Sequence, residues 1–270
     1  MKTLLIYFSA TGNTRYGAQL IKTGIEQNEN AHCDLVEISR FSEEAIEKYD
    51  LIGFASPVFA YQPALNMLAL IKHLPEGRQK PCFTFVSYAG DLSNVHWIFK
   101  TQLEKRGYQV LAQKEMLAQG SWTVTRVPGR LEYEDEPSEP TQAGVLQFGQ
   151  SLPAILSRHQ AQTLTLPQPE FHLNVTHLIS RFYNPPVLDN LFKIQVDPTL
   201  CNRCGRCERD CPTGKMKLAN FPNPTGQCIG CYRCVNLCPQ DAVETWQTKG
   251  KLRYKGLGEP IRSINKTLLE

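Results

Sequence analysis

Eight of the ten cysteines fall in two runs, CNRCGRCERDCP at 201–212 and CIGCYRCVNLCP at 228–239. Each run reads C-x2-C-x2-C-x3-C-P. Three thiolates at this spacing can wrap one face of an iron-sulfur cubane. The fourth lies on a turn that points away, where it serves the cluster of the other run. Two clusters that share ligands in this way lie close enough to exchange electrons. Zinc is the rival reading, since C-x2-C pairs also bind that ion. It needs two pairs per ion separated by a loop, and it gives no reason for the third cysteine or the proline.

Something upstream must hold these runs in place, and the first half of the chain has the rhythm of a layered α/β unit. TLLIYF at 3–8 is a continuous apolar run, as expected of a strand buried on both faces, and a helical pattern follows from about Arg15 to Gln27. Further strands are expected at 32–38, 50–56, 81–87 and 109–117, with helices running to about Lys72, over 94–106 and over 141–157. Alternating strands and helices predict a doubly wound parallel sheet of five strands. The stretch VPGRLEYEDEPSEPT is read as an exposed acidic loop. Residues 160–192 break the rhythm with prolines around the apolar piece HLNVTHLISRFY, and predict a strap packed between two domains.

The turn after the first strand, FSATGNT, carries a second chemistry. Hydroxyls of Ser9, Thr11 and Thr14 stand beside backbone N–H groups at a helix start, which favours an anion, and Gly12 lets the backbone approach closely. A polar turn that only caps the helix is the alternative. The spacing of Gly12 and Gly17 is that of a Walker loop, but Ala18 and Gln19 follow in place of Lys and Ser or Thr, and no G-x-G-x-x-G is present.

The second half, over roughly 193–247 and including CPQDAV, resembles the bacterial two-cluster ferredoxins. That resemblance implies one 4Fe-4S cluster on Cys201, Cys204, Cys207 and Cys238 and a second on Cys228, Cys231, Cys234 and Cys211. The connection between the runs is longer than in compact ferredoxins and carries Lys215 and Lys217. The first half, over about 1–157, resembles the flavodoxins. Their pattern implies that Ser9, Ala10, Thr11, Gly12, Asn13 and Thr14 hold the phosphate of FMN. The flavin ring is then held by Ser56, Pro57, Val58, Phe59, Ala60 and Tyr61 after the third strand and by Ser87, Tyr88, Ala89, Gly90 and Asp91 after the fourth. Phe59, Tyr61 and Tyr88 are candidates for stacking on the ring, and Trp122 is a weaker one. Ala60 and Tyr61 occupy positions where related loops carry glycine.

The combination resembles fused ferredoxin-type flavoproteins of the EFR1 type. It implies an α/β fold, with a flavodoxin-like sheet at 1–159, a strap at 160–192, a small α+β two-cluster ferredoxin domain at 193–247 and a basic tail at 248–270. The implied function is electron transfer between two 4Fe-4S clusters and FMN and a redox partner protein. The alternatives are an FMN-dependent reductase of a small substrate fed by the clusters, and a redox sensor.

Charge gives the partner its expected sign. The net charge is +3, but residues from Lys193 onward hold 13 Lys and Arg against 7 Asp and Glu. This favours an acidic protein or a phosphate-bearing ligand over nucleic acid, with a solvated basic face as the plainer reading. The opening MKTLLIYFSATG has too short an apolar run for a signal peptide and is read as a strand. No segment has the length of a membrane span. Clustered thiols without an export signal predict the reducing cytoplasm. A homodimer is compatible with the sequence. His32, His73, His96, His159, His172 and His177 form no metal-binding spacing, and Cys33 and Cys82 sit in expected strands as small buried hydrophobes.

Overall fold

The computed structural model describes residues 1–122, 133–191, 193–250 and 253–256. The first part of the acidic loop, 127–132, and most of the expected basic tail therefore lie outside the described residues. Five parallel strands run in the order β2 (His32–Glu37), β1 (Lys2–Tyr7), β3 (Leu51–Phe59), β5 (Lys80–Tyr88) and β6 (Tyr108–Leu117). A two-residue strand, β4 (Gln62–Pro63), pairs antiparallel with the end of β3. This is the flavodoxin-like doubly wound order. β1 pairs with both β2 and β3, so the direction of winding reverses there and leaves a crevice at the strand C-termini.

The apolar run of β1 divides between two cores because successive side chains point to opposite faces. Leu4, Ile6 and Phe8 pack with α2 (Leu65–His73) and α3 (Val95–Lys105). Leu5 and Tyr7 share the other core with α1 (Asn13–Glu26) and α4 (Glu139–Gln160). Helices on both faces bury the strand from Thr3 onward, at about 1.5–3 kcal/mol for each large apolar side chain taken from water. The contact between α1 and α4 depends on glycine: a Cβ on Gly149 would stand 2.4 Å from the Ile21 carbonyl oxygen. The start of α4 is fixed by Glu136, whose carboxylate accepts from the Ser138 N–H at 2.8 Å and the Thr141 hydroxyl at 2.9 Å. This part of the acidic stretch is a helix cap.

After α4 the chain crosses to the cysteine runs through α5 (Val175–Phe182) and α6 (Pro185–Leu191). The strap is docked at several points. Asn94 and His172 exchange two hydrogen bonds of 2.8 Å, and Lys215 pairs with Asp189 at 3.0 Å. Tyr183 and Leu188 enter the same core as Cys228, Ile229 and Met216. The cysteine module is closed by β7 (Gln195–Val196) and β8 (Val243–Glu244), with the short helices α7 (Arg206–Arg209) and α8 (Arg233–Asn236) holding the third cysteine of each run.

Candidate functional site

The three loops expected to form one site meet at the C-terminal ends of β1, β3 and β5. They line a single cleft through Ser9, Ala10, Thr11, Asn13 and Thr14, through Pro57 to Tyr61, and through Ser87 to Asp91. The fourth wall, Ala118, Gln119, Gly120 and Ser121 with Trp122, follows β6. Of this wall the sequence singled out only Trp122. Two expected residues stand elsewhere. Ser56 lies behind its loop, where its hydroxyl accepts from the Ala64 N–H at 2.9 Å. Gly12 lines a neighbouring cavity on the outer side of the turn, together with Arg15 and Arg233.

The turn has the donor set that an anion needs. The first N–H of α1 with a helical acceptor is that of Tyr16, which donates to Gly12 O at 2.9 Å. Those of Asn13, Thr14 and Arg15 lie upstream of it, at the positive end of the helix with no acidic residue in the first turn. Gly12 has φ 115°, and a Cβ there would meet nothing within 4 Å. Glycine is required by the backbone angle rather than by crowding. Ser9 gives its oxygen to the Gly12 N–H at 3.1 Å, and the Thr14 and Ser87 hydroxyls are 2.7 Å apart, which binds the first loop to the third.

The second loop turns between β3 and β4 through Ala60 and Tyr61, at φ 45° and 65°. Two left-handed residues are what a tight hairpin requires, and glycine or asparagine is the usual choice. Here the conformation is held with a methyl group and a phenol ring, and the loop presents Phe59 and Tyr61 to the cleft. Tyr88 faces them from the third loop, and burial raises its phenol above the ordinary range. A cleft with aromatic walls and a neutral, donor-rich floor fits a flat ring carrying a phosphate, as the chemistry of FMN demands.

The eight clustered thiols surround two small cavities. One is lined by Cys201, Cys204, Cys207 and Cys238, the other by Cys211, Cys228, Cys231 and Cys234. All ten cysteines are free. Burial pushes Cys231 up to about 12 and Cys207 up to about 11, and Cys234 is driven well above the ordinary thiol value. Burial acts on Cys211 too, but the Thr213 hydroxyl and backbone N–H groups of Met216, Thr213 and Lys215 outweigh it and lower that thiol. A cationic centre favours the thiolate form of the thiols that burial raises. Among the described residues no three His, Cys, Asp or Glu side chains converge as ligands of one metal ion. Four thiols spread around a cavity fit a polynuclear cluster, in which each sulfur binds a different iron. The Arg203 N–H donates to Cys201 Sγ at 3.4 Å and the Gly230 N–H to Cys228 Sγ at 3.3 Å.

An aromatic wedge joins the cleft to the second cysteine cage. The Trp122 ring lies edge-on to Tyr183, with centroids 6.3 Å apart, and to Tyr232, at 6.2 Å. Tyr232 follows Cys231 directly, and the Tyr183 hydroxyl donates to Ile229 O at 3.0 Å. Gln62, beside the second loop, donates to the Tyr183 carbonyl at 3.2 Å.

Comparison with known proteins adds a match to the 4Fe-4S dicluster domain over residues 193–239. The arsenate respiratory reductase iron-sulfur subunit ArrB of Shewanella sp. is 31% identical over 83 residues, 26% of this chain and 36% of that protein. A component of the ion-translocating oxidoreductase complex of Methanosarcina acetivorans is 39% identical over 46 residues, 16% of this chain and 17% of its own. The match thus spans about a third of the first relative and about a sixth of the second. Among solved structures, a flavodoxin from the domain Archaea covers 58% of this chain and 99% of its own at 18% identity and TM-score 0.44. The two-electron reduced flavodoxin of Megasphaera elsdenii covers 56% and 99% at 16% identity and TM-score 0.42. The strand order, not these superpositions, carries the fold. The chain therefore joins a flavodoxin-like parallel sheet to a 4Fe-4S dicluster domain, an arrangement suited to electron transfer.

Proposed function

We propose that this chain is an electron-transfer flavoprotein of the EFR1 type, with FMN in the cleft, a 4Fe-4S cluster in each cysteine cage and electrons exchanged with a redox partner protein. The observation that carries the reading is the packing of Trp122, a cleft residue, against Tyr232 and Tyr183 at the second cage. When bound, a flavin exchanges electrons singly or in pairs and each cluster one at a time, so two clusters match one flavin. The protein's part is to bind, orient and tune these groups. Ser9, Thr11 and the start of α1 hold the phosphate. Phe59, Tyr61, Tyr88 and Trp122 wall the ring, and the wedge keeps water from the space between cleft and cage. N–H donors to Cys201 and Cys228 adjust the clusters' potentials.

Arg203, Arg206 and Arg209 rim the exposed Cys204, which suits an acidic partner docking there. Free thiols and the oxygen-sensitive chemistry of the cages suit the cytoplasm. No helix among the described residues is long and apolar enough to cross a membrane.

A second reading, an FMN-dependent reductase, is supported by the convergence of Tyr61, Tyr88 and Trp122 on one cleft, where a small substrate could lie over the ring. Anaerobic purification tests both. The expected content is about eight irons and about eight sulfides per chain, as in two cubanes, with one FMN. Reduction of the clusters is expected to be followed in stopped flow by reduction of the flavin. Colourless or zinc-containing protein overturns the proposal, as does a flavin that stays oxidised beside reduced clusters.

A further inference from the structure

A ring of buried polar groups ties the anion-binding turn to the cysteine module. Asn236 closes α8 between Cys234 and Cys238 and is 0% exposed. Its Nδ2 donates to Ser121 O at 2.7 Å, and its Oδ1 accepts from the Tyr254 N–H at 3.2 Å. Tyr254 is 1% exposed, and its hydroxyl donates to Asn13 Oδ1. Asn13, the first residue of α1, donates through Nδ2 to Gln119 O at 2.9 Å. Gln119 and Ser121 belong to the same wall of the cleft, so the circuit closes on itself.

The arrangement does more than fill space. A buried amide left without partners is costly, so a side chain such as Asn236 is kept where each bond fixes a position. Both ends of the Asn13 amide are occupied inside the ring. Those two bonds hold the residue at which α1 begins. The N–H groups of Asn13, Thr14 and Arg15 take their direction from that start.

We infer that Tyr254 and Asn236 are positioning residues through which the cysteine module holds the phosphate-binding turn of the flavin cleft in its binding form. The inference rests on the reading of the cleft as an FMN site. It assigns a role to a segment whose sequence reads as a basic tail, and it makes flavin affinity a property of both halves of the chain.

The phosphate gives the test its selectivity. FMN and riboflavin are titrated anaerobically into the cluster-loaded full chain freed of flavin, with binding read from flavin fluorescence. Tyr254→Phe removes one hydroxyl and keeps the ring. It is expected to raise the Kd for FMN by about tenfold, the effect of one buried hydrogen bond to a pre-set donor group, while riboflavin affinity, iron and sulfide stay as in the parent. Asn236→Leu keeps the volume and removes both bonds. It is expected to weaken FMN further, and if its iron content falls, the Tyr254→Phe result decides. Equal FMN affinity in parent and Tyr254→Phe overturns the inference, and so does an equal loss of riboflavin. A parent chain that binds neither flavin overturns instead the FMN reading beneath it.

Discussion

The two cysteine runs have the same spacing and nearly the same backbone, yet opposite surroundings. Arg203 and Gly230 occupy equivalent positions at φ 56° and 65°, and Gly205 and Tyr232 do so at 74° and 54°. The helical turns at Arg206–Arg209 and Arg233–Asn236 correspond as well. What differs is the residues between the cysteines. In the first run they include Asn202, Arg203, Arg206, Glu208, Arg209 and Asp210, and Cys204 is exposed. In the second they include Ile229, Tyr232 and Val235, and Cys228 and Cys231 are buried against the strap and the sheet. Spacing therefore builds the cage, and the residues in the gaps decide what the cage touches.

The largest expected consequence falls on Gly230. A Cβ there would stand 2.5 Å from the Tyr183 hydroxyl oxygen at a backbone angle that L-residues avoid. Gly230→Ala is expected to lower stability by about 2–4 kcal/mol, from left-handed strain and overpacking together. Urea denaturation checks this. At Gly205, the nearest atom to a Cβ is the flexible end of Arg209 at 3.3 Å, and Gly205→Ala is expected to cost only about 1 kcal/mol.

Thiol reactivity separates the runs next. Burial pushes Cys231 up to about 12, so near pH 8 it carries far less thiolate than an ordinary thiol. In the cluster-free chain, brief alkylation mapped by mass spectrometry is expected to label exposed Cys204 about a hundredfold faster than Cys231. A raised thiol value means that labelling of Cys231 grows with pH, about tenfold per unit, until pH approaches 12. Equal rates at the two sites would erase the distinction between an outer and an inner run.

Tyr183 carries a smaller share. Its hydroxyl is deeply buried, and burial drives its phenol well above the ordinary range, so it stays protonated and donates to Ile229 O throughout the usable pH range. Tyr183→Phe leaves that carbonyl short of a donor and is expected to cost about 1–2 kcal/mol, measured by the same denaturation. No equivalent loss is expected for any strap residue against the first run, whose cavity is lined, among the described residues, by those from Cys201 onward.

The contrast also marks how far the sequence could be read. The central strand positions followed from composition, since both faces of the sheet are covered and β1, β3 and β5 are largely apolar runs. β4 was not legible because its turn uses Ala60 and Tyr61 where a glycine or asparagine signal was expected. α6 was hidden by Pro185 and Pro186, which read as breakers. At a helix start proline costs nothing, and Asn184 accepts from the Val187 N–H at 3.3 Å to begin the turn. The cysteines and three cleft loops were visible because their chemistry is local. Ala118 to Ser121, Asn236 and Tyr254 were not, since Tyr254 meets Asn13 across 241 positions of chain. A polar residue becomes a positioning residue only when the fold supplies its partner.

The smallest expected effect is at Arg203, the counterpart of Gly230. Its left-handed backbone is one that glycine adopts freely, so Arg203→Gly relieves strain in the folded chain. The same change gives the unfolded chain more freedom, which opposes the gain. The side chain is exposed and has no packed neighbour like the one Tyr183 provides across from Gly230. The two terms are expected to leave stability within about 0.5 kcal/mol of the parent. If Arg203→Gly and Gly230→Ala moved the denaturation midpoint by similar amounts, the backbone alone would govern both runs and the surroundings would count for little. A near-silent first site beside a severe second one shows that the same left-handed position is cheap in an outward-facing loop and critical where another element packs on it.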